Sequence, residues 1–186
     1  MIGSPDDGLA LAFIFDPYID SDPAGNVFAG YIAAMGGPGG PGGLYIERSQ
    51  DKGKTWSGPT TISFDLRALS PTDPNYRFND RPDMTVDPAG NALVVWIKDV
   101  GQAGPTSDIY FARSPAAVAP TAGNPTGLDS TGGSAGSVAP KTINDNPNGG
   151  DWANVPDVAV AADGTIYVSW VQVNVTRPGP RSAILM

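Results

Sequence analysis

Residues 82–96 read PDMTVDPAGNALVVW, residues 17–31 read PYIDSDPAGNVFAGY and residues 156–170 read PDVAVAADGTIYVSW; the three align without a gap. In each, a proline stands eight positions before a glycine and an aromatic residue six after it. The glycine supplies the positive φ of a tight turn and, in the first two copies, a proline presets the φ before it. The residues after the turn are β-branched, apolar or aromatic, which favours a strand. The spacing therefore predicts a strand from the proline to the turn and a second strand after it.

The register continues. Arg48-Ser49 and Arg113-Ser114 each follow their turn glycine by 23 positions and close a third strand, LYIERS and IYFARS. In the first copy another turn and a strand through residues 57–63 complete four antiparallel strands, the content of one propeller blade. The fold expected is all-β, a β-propeller of four-stranded blades, with repeat units near 16–64, 81–118 and 155–186 of a single domain spanning 1–186. A repeat of this kind needs neighbours to cover its faces. A propeller has about four to eight blades, so about three blades form an incomplete ring.

Residues 49–56, SQDKGKTW, carry Ser49, Asp51, Gly53, Thr55 and Trp56 at the spacing Ser-x-Asp-x-Gly-x-Thr-Trp. This resembles the Asp box of the sialidase-like, or bacterial neuraminidase repeat, propellers. The resemblance implies a structural role, the Asp capping a hairpin turn and the Trp packing between sheets. The second unit departs from it, continuing Pro115-Ala-Ala-Val-Ala-Pro120 after Ser114.

Composition removes whole classes of chemistry. The chain of 186 residues has no His and no Cys, which excludes His-activated nucleophiles, His-ligated metal and thiol chemistry. No metal site or cofactor is expected. Net charge is −8, against the basic stripe a nucleic-acid groove needs. No apolar run approaches the ~20 residues of a membrane-spanning helix. The apolar patch Leu9–Phe15 follows Asp6 and Asp7 rather than a basic segment, so no signal peptide is read there.

Several short patterns carry nothing further. Gly37–Gly42 fits Gly-x-Gly-x-x-Gly, but a strand follows it and not a helix. Ser134 sits in Gly-x-Ser-x-Gly with no His to activate it. Asn174-Val-Thr176 is a glycosylation sequon by letters alone. Asn144–Asn146 with Asp151 does not follow EF-hand spacing.

Topology places the starts of the proline-led strands and the loops between second and third strands on one face, where function usually sits. The resemblance implies a sialidase-like, glycan-processing exo-glycosidase, extracellular or periplasmic, with an Arg cluster, an acid/base Asp and a Tyr nucleophile. Its glycan partner would meet Arg81, Arg77, Asp157 and Asp16, with Asp83 and Tyr76 as catalytic candidates. Asp80, Tyr18, Arg177 and Arg181 stand in reserve. Arg81 precedes Pro82, but Asp16 and Val155 hold the equivalent places, so no Arg triad assembles by register, and the plain structural alternative for Arg81 and Asp83 is a surface ion pair or turn partner. The only glutamate, Glu47, falls on a third strand away from this centre. The competing function is a non-catalytic propeller that binds glycan or protein.

Overall fold

A computed structural model describes residues 13–34, 42–65, 77–100, 107–114, 138–144, 151–174 and 180–185. All regular structure among them is β-strand. Strands β1 (Phe13–Ser21), β2 (Val27–Ala34), β3 (Gly42–Ser49) and β4 (Thr60–Asp65) form an antiparallel meander in that order. A second meander joins β5 (Arg77–Val86), β6 (Ala92–Val100), β7 (Ser107–Ser114) and β8 (Val138–Thr142). A third joins β9 (Asp151–Val160), β10 (Ile166–Asn174) and β11 (Pro180–Leu185). A single parallel pairing, Ser107 with Trp152, links β7 to β9. No sheet closes on itself among the described residues.

The repeated turns form as their residues dictate. Gly25, Gly90 and Gly164 have φ of +86°, +80° and +85°. Asp22 Oδ1 accepts the Asn26 amide at 2.9 Å, and Asp87 Oδ1 accepts those of Ala89 and Asn91 at 3.0 and 2.8 Å. Ala161 stands in that place in the third unit, where Asp163 Oδ1 takes the Thr165 amide at 2.9 Å instead. In the turn after β3, Asp51 Oδ1 accepts the amides of Lys54 and Thr55 at 3.0 and 2.8 Å and the Ser49 hydroxyl at 2.8 Å. Its Oδ2 accepts the Thr55 hydroxyl at 2.6 Å. The Thr55 side-chain and backbone donors hold the Asp51 carboxyl down at about 2. Trp56 is half-buried beside this turn and belongs to neither inter-unit core.

Two apolar layers glue the meanders together. Phe28, Ile32, Leu44 and Ile46 of the first pack on Met84, Val94 and Trp96 of the second. The opposite face of the second, Leu93, Val95, Ile97 and Ile109, packs on Val158, Val168 and Trp170 of the third. Strand β6 thus lies between two cores, which is why Ala92–Ile97 reads as an unbroken apolar run rather than an alternating one. Full burial of each such side chain contributes about 1.5–3 kcal/mol. One polar link crosses the first layer: Asn79 Oδ1 accepts both Trp96 Nε1 at 2.9 Å and Ser63 Oγ at 3.0 Å.

Two details differ from the sequence reading. The proline-led strands begin before their prolines, at Phe13, Arg77 and Asp151, because each proline sits at an irregularity that needs no ladder donor. Strand β8 occupies part of what read as a long connection, its PK pair and Gly/Ser-rich approach hiding five strand residues.

Two tests follow from this packing. Gly30 faces Tyr18 across the β1–β2 ladder, and a Cβ there would overlap the Tyr18 ring. Gly30→Ala should cost about 1–3 kcal/mol by overpacking, read as a lowered thermal midpoint, and Gly30→Ala/Tyr18→Leu should recover part of it. Asp51, lowered relative to the unfolded chain, contributes stability that is present above the unfolded carboxylate value and lost as pH falls toward about 2. Wild type and Asp51→Ala should therefore differ in thermal midpoint at pH 7 and converge in strong acid.

Candidate functional site

In all three units the strand ladder breaks at the same place. Pairing shifts between Phe15 and Tyr18, between Asp80 and Asp83, and between Ser169 and Val171 opposite Asn154–Asp157. Each break is a bulge at a residue followed by proline. Asp16, Arg81 and Val155 take φ of 48°, 47° and 51° there. The proline ring disfavours the right-handed helical region for the residue before it, and a positive φ is costly for any residue with a Cβ. A side-chain carbonyl or carboxylate oxygen from the preceding residue caps two of the three bulges. Asp80 Oδ1 accepts the Arg81 amide at 3.0 Å, and Asn154 Oδ1 accepts the Val155 amide at 2.8 Å.

The three bulges converge. Asp16, Arg81, Val155 and the three prolines after them line one open cavity of about 700 Å³ with Asp80, Asp83 and Asp157. That volume lies within the range of ligand pockets. Carboxylates also tie the units together here. Asp16 Oδ2 accepts the Arg81 amide at 3.3 Å, and Asp83 Oδ2 accepts the Val158 amide at 2.9 Å.

The carboxyls come in pairs that bridge neighbouring units. The Asp157 carboxyl lies close enough to Asp83, and the Asp16 carboxyl close enough to Asp80, to raise its neighbour. A carboxyl can donate to another only while it holds a proton. Burial pushes the Asp83 carboxyl above its ordinary range, and the Asp157 partner adds to this against the Val158 amide. Burial and then Asp16 push Asp80 up, opposed by the Arg81 amide and charge. Arg81 Nε lies 3.9 Å from Asp80 Oδ2, with the Arg81 side chain 55% exposed. The ion pair that Arg81 makes at the cavity is with Asp80. Such a contact at the surface adds little stability.

The structure therefore brings together four of the six sequence candidates, Asp16, Arg81, Asp83 and Asp157. Arg77 opens β5 opposite Val100, its side chain outside the described residues. Tyr76 and Arg177 lie outside them altogether, and Arg181 is described only as a β11 strand position opposite Gln172. Tyr18 turns from the cavity, donating to the Tyr45 carbonyl oxygen at 3.3 Å. Burial raises its phenol far above the ordinary value.

One buried pair escaped the sequence. Tyr31 donates to Glu47 Oε1 at 2.8 Å, both almost fully buried, and burial pushes the Glu47 carboxyl up. Tyr31 and Glu47 are paired through the β2–β3 ladder, on the face away from the second meander, so nothing local in sequence links them. They do not line the cavity.

No protein-family model matches the chain, and no curated protein matches it. Solved structures do. One, titled Hadza microbial sialidase Hz136, aligns over 96% of this chain and 35% of its own, with 16% identity and a TM-score of 0.56. The chain shares that sialidase's fold over this span. A second, an endo-arabinase from Bacteroides thetaiotaomicron VPI-5482, aligns over 92% of this chain and 55% of its own, with 16% identity and a TM-score of 0.47. The chain thus spans roughly a third to about a half of the solved chains it matches.

The paired carboxyls give a direct test. Asp157→Asn replaces a like-charged neighbour by an amide that can donate to Asp83, so the Asp83 midpoint, followed by carboxyl-carbon NMR, should fall toward the ordinary aspartate value of ~3.9. An unmoved midpoint would leave burial as the sole cause. Raised groups give stability that is fully present below the unfolded value and lost as pH rises through the folded one. Asp157→Asn should therefore raise the thermal midpoint at pH 7 more than at pH 4.

Proposed function

We propose that this chain is part of a glycan-processing β-propeller, sialidase-like in architecture. Its glycoside-hydrolase site lies at the cavity where the proline-led strands of the three units meet. The observation that carries this is the convergence of two carboxyl pairs and one guanidinium on a single cavity at the repeated bulges. The shared fold supports it only at the level of architecture.

Glycoside hydrolysis asks for one carboxyl that holds a proton for the leaving oxygen and a second that stays ionised. Environments that push two neighbouring carboxyls apart supply that division. Asp83, raised by burial and by Asp157, fits the acid, and Asp157 beside it on the cavity wall helps to set that elevation. Arg81, half out in solvent, is free to turn from Asp80 to an oxygen of the sugar. Because the Val158 amide also binds Asp83, the acid is held in place by the neighbouring unit.

A panel of fluorogenic glycosides, sialosides among them, tests the reading on wild type, Asp83→Asn and Arg81→Ala, with circular dichroism to show that each is folded. Asp83→Asn should lower kcat by about 10²–10⁴, the contribution of a general acid, with the alkaline limb of the pH profile abolished. Arg81→Ala should act mainly on KM. Glycan binding by folded wild type without turnover of any substrate would establish the non-catalytic binding propeller instead.

A further inference from the structure

We infer that the cavity at the three bulges is built for a hydroxyl-rich saccharide that carries no negative charge. This rests on the reading of the cavity as a glycan site and adds the class of glycan.

The first argument is charge. Among the described residues four carboxyls and one guanidinium line the cavity. The carboxyls outnumber the cation there, so the lining stays negative even where one carboxyl of each neighbouring pair holds a proton. A ligand carboxylate would enter a field already negative, beside carboxyls that are themselves partly withdrawn from water. It would also ask both pairs to keep their protons more tightly, which opposes any step in which one is given up.

The second argument is register. A clamp for a carboxylate needs several cations converging from different units. The bulge position repeats at the cavity wall in all three units, and it holds Asp16, Arg81 and Val155. Only one of the three is a cation. The backbone does not forbid another, because Arg81 itself occupies the left-handed conformation. The absence of arginine at the other two places is a property of side-chain choice, not of geometry.

The third argument is the match of surfaces. The carboxyls are acceptors, and the ligand must bring donors to them, as sugar hydroxyls or an amine do. Pro17, Pro82, Pro156 and the 54%-exposed Val155 give apolar wall between the carboxyls. A sugar ring presents both surfaces, hydroxyls at its rim and C–H groups on its faces.

The test uses the full chain and calorimetric titration with five probes. These are the methyl glycosides of galactose, arabinose, glucosamine, glucuronic acid and sialic acid. Chemical-shift changes at Val155 and Arg81 locate the binding. An uncharged or amino glycoside should bind at least ten-fold tighter than the glucuronide and the sialoside, and which of the two binds better separates hydroxyl from amine recognition. Asp16→Arg/Val155→Arg, placing cations at all three bulges, should bring the sialoside within reach of the neutral sugar or past it. The thermal midpoint shows that the double variant is folded. Asp16→Asn is a milder second variant that should narrow the gap in the same direction.

Tighter binding of the sialoside or glucuronide to wild type overturns the inference. If their hydrolysis still depends on Asp83, the hydrolase reading stands without it. Binding of an uncharged sugar without turnover supports the inference and removes the hydrolase. No binding of any probe overturns both.

Discussion

The rest of the molecule hangs on a proline placed where a strand should run straight. Each unit's first strand passes through such a proline, and the residue before it is driven to a positive φ. Strain of this kind costs of order 1–3 kcal/mol per site and persists only where the surroundings over-determine it. Here the surroundings are the ladders on either side of the bulge, with β1–β2, β5–β6 and β9–β10 pairing both before and after the break. The β-branched Val155 is the sharpest case, since its side chain least tolerates that conformation. The bulges turn three consecutive backbones toward one another, and the cavity is the space they leave.

The carboxylates at that cavity serve two ends that pull against each other. Asp83 accepts a backbone amide of the third unit, and Asp16 one of the second, so both help to hold neighbouring strands together. Further down the same strands Asp20 accepts the Thr85 hydroxyl and the Val86 amide. An ionised carboxylate makes the stronger clip. Yet Asp80 and Asp83 are kept above their ordinary range by burial and by a carboxyl neighbour, which destabilises the fold as pH rises. At the turns the opposite holds. Asp22, Asp87 and Asp163 are lowered by their Asn, Thr and backbone donors and contribute stability at neutral pH. Carboxyls on one end of the units thus oppose, in sign, those on the other.

Much of this was legible in the chain. The proline, glycine and aromatic spacing located three strand pairs and their turns, because each residue type acts through its own φ or its own side chain. It also put Asp16, Arg81 and Val155 in one register, which is why sequence candidates met at one cavity. What stayed hidden depends on two strands at once. The bulge cannot be read from Arg81-Pro82, since a proline after any residue reads equally well as a strand's first position. The partner of Arg81 is hidden for the same reason: Asp80 lies beside it, while Asp83 reaches the next unit. Tyr31 and Glu47 are 16 apart in sequence, and only the β2–β3 ladder brings them together.

The site is a property of contacts between units and not of any one of them. The Asp16–Asp80 pair spans the first and second units, and the Asp83–Asp157 pair spans the second and third. Stability in a repeat array is set by such neighbour interfaces, and here they are the two apolar layers around β6. The middle unit is covered on both faces. In the third, Tyr167 and Val171 are each 40% exposed on the face away from β6. Those layers fix the distance between proline-led strands, and that distance brings the carboxyls of neighbouring units together. Loosening either layer would let a pair separate, rehydrate and ionise. The spacing of the carboxyls on which the proposed chemistry depends is therefore set by leucines, valines and tryptophans of the two apolar layers.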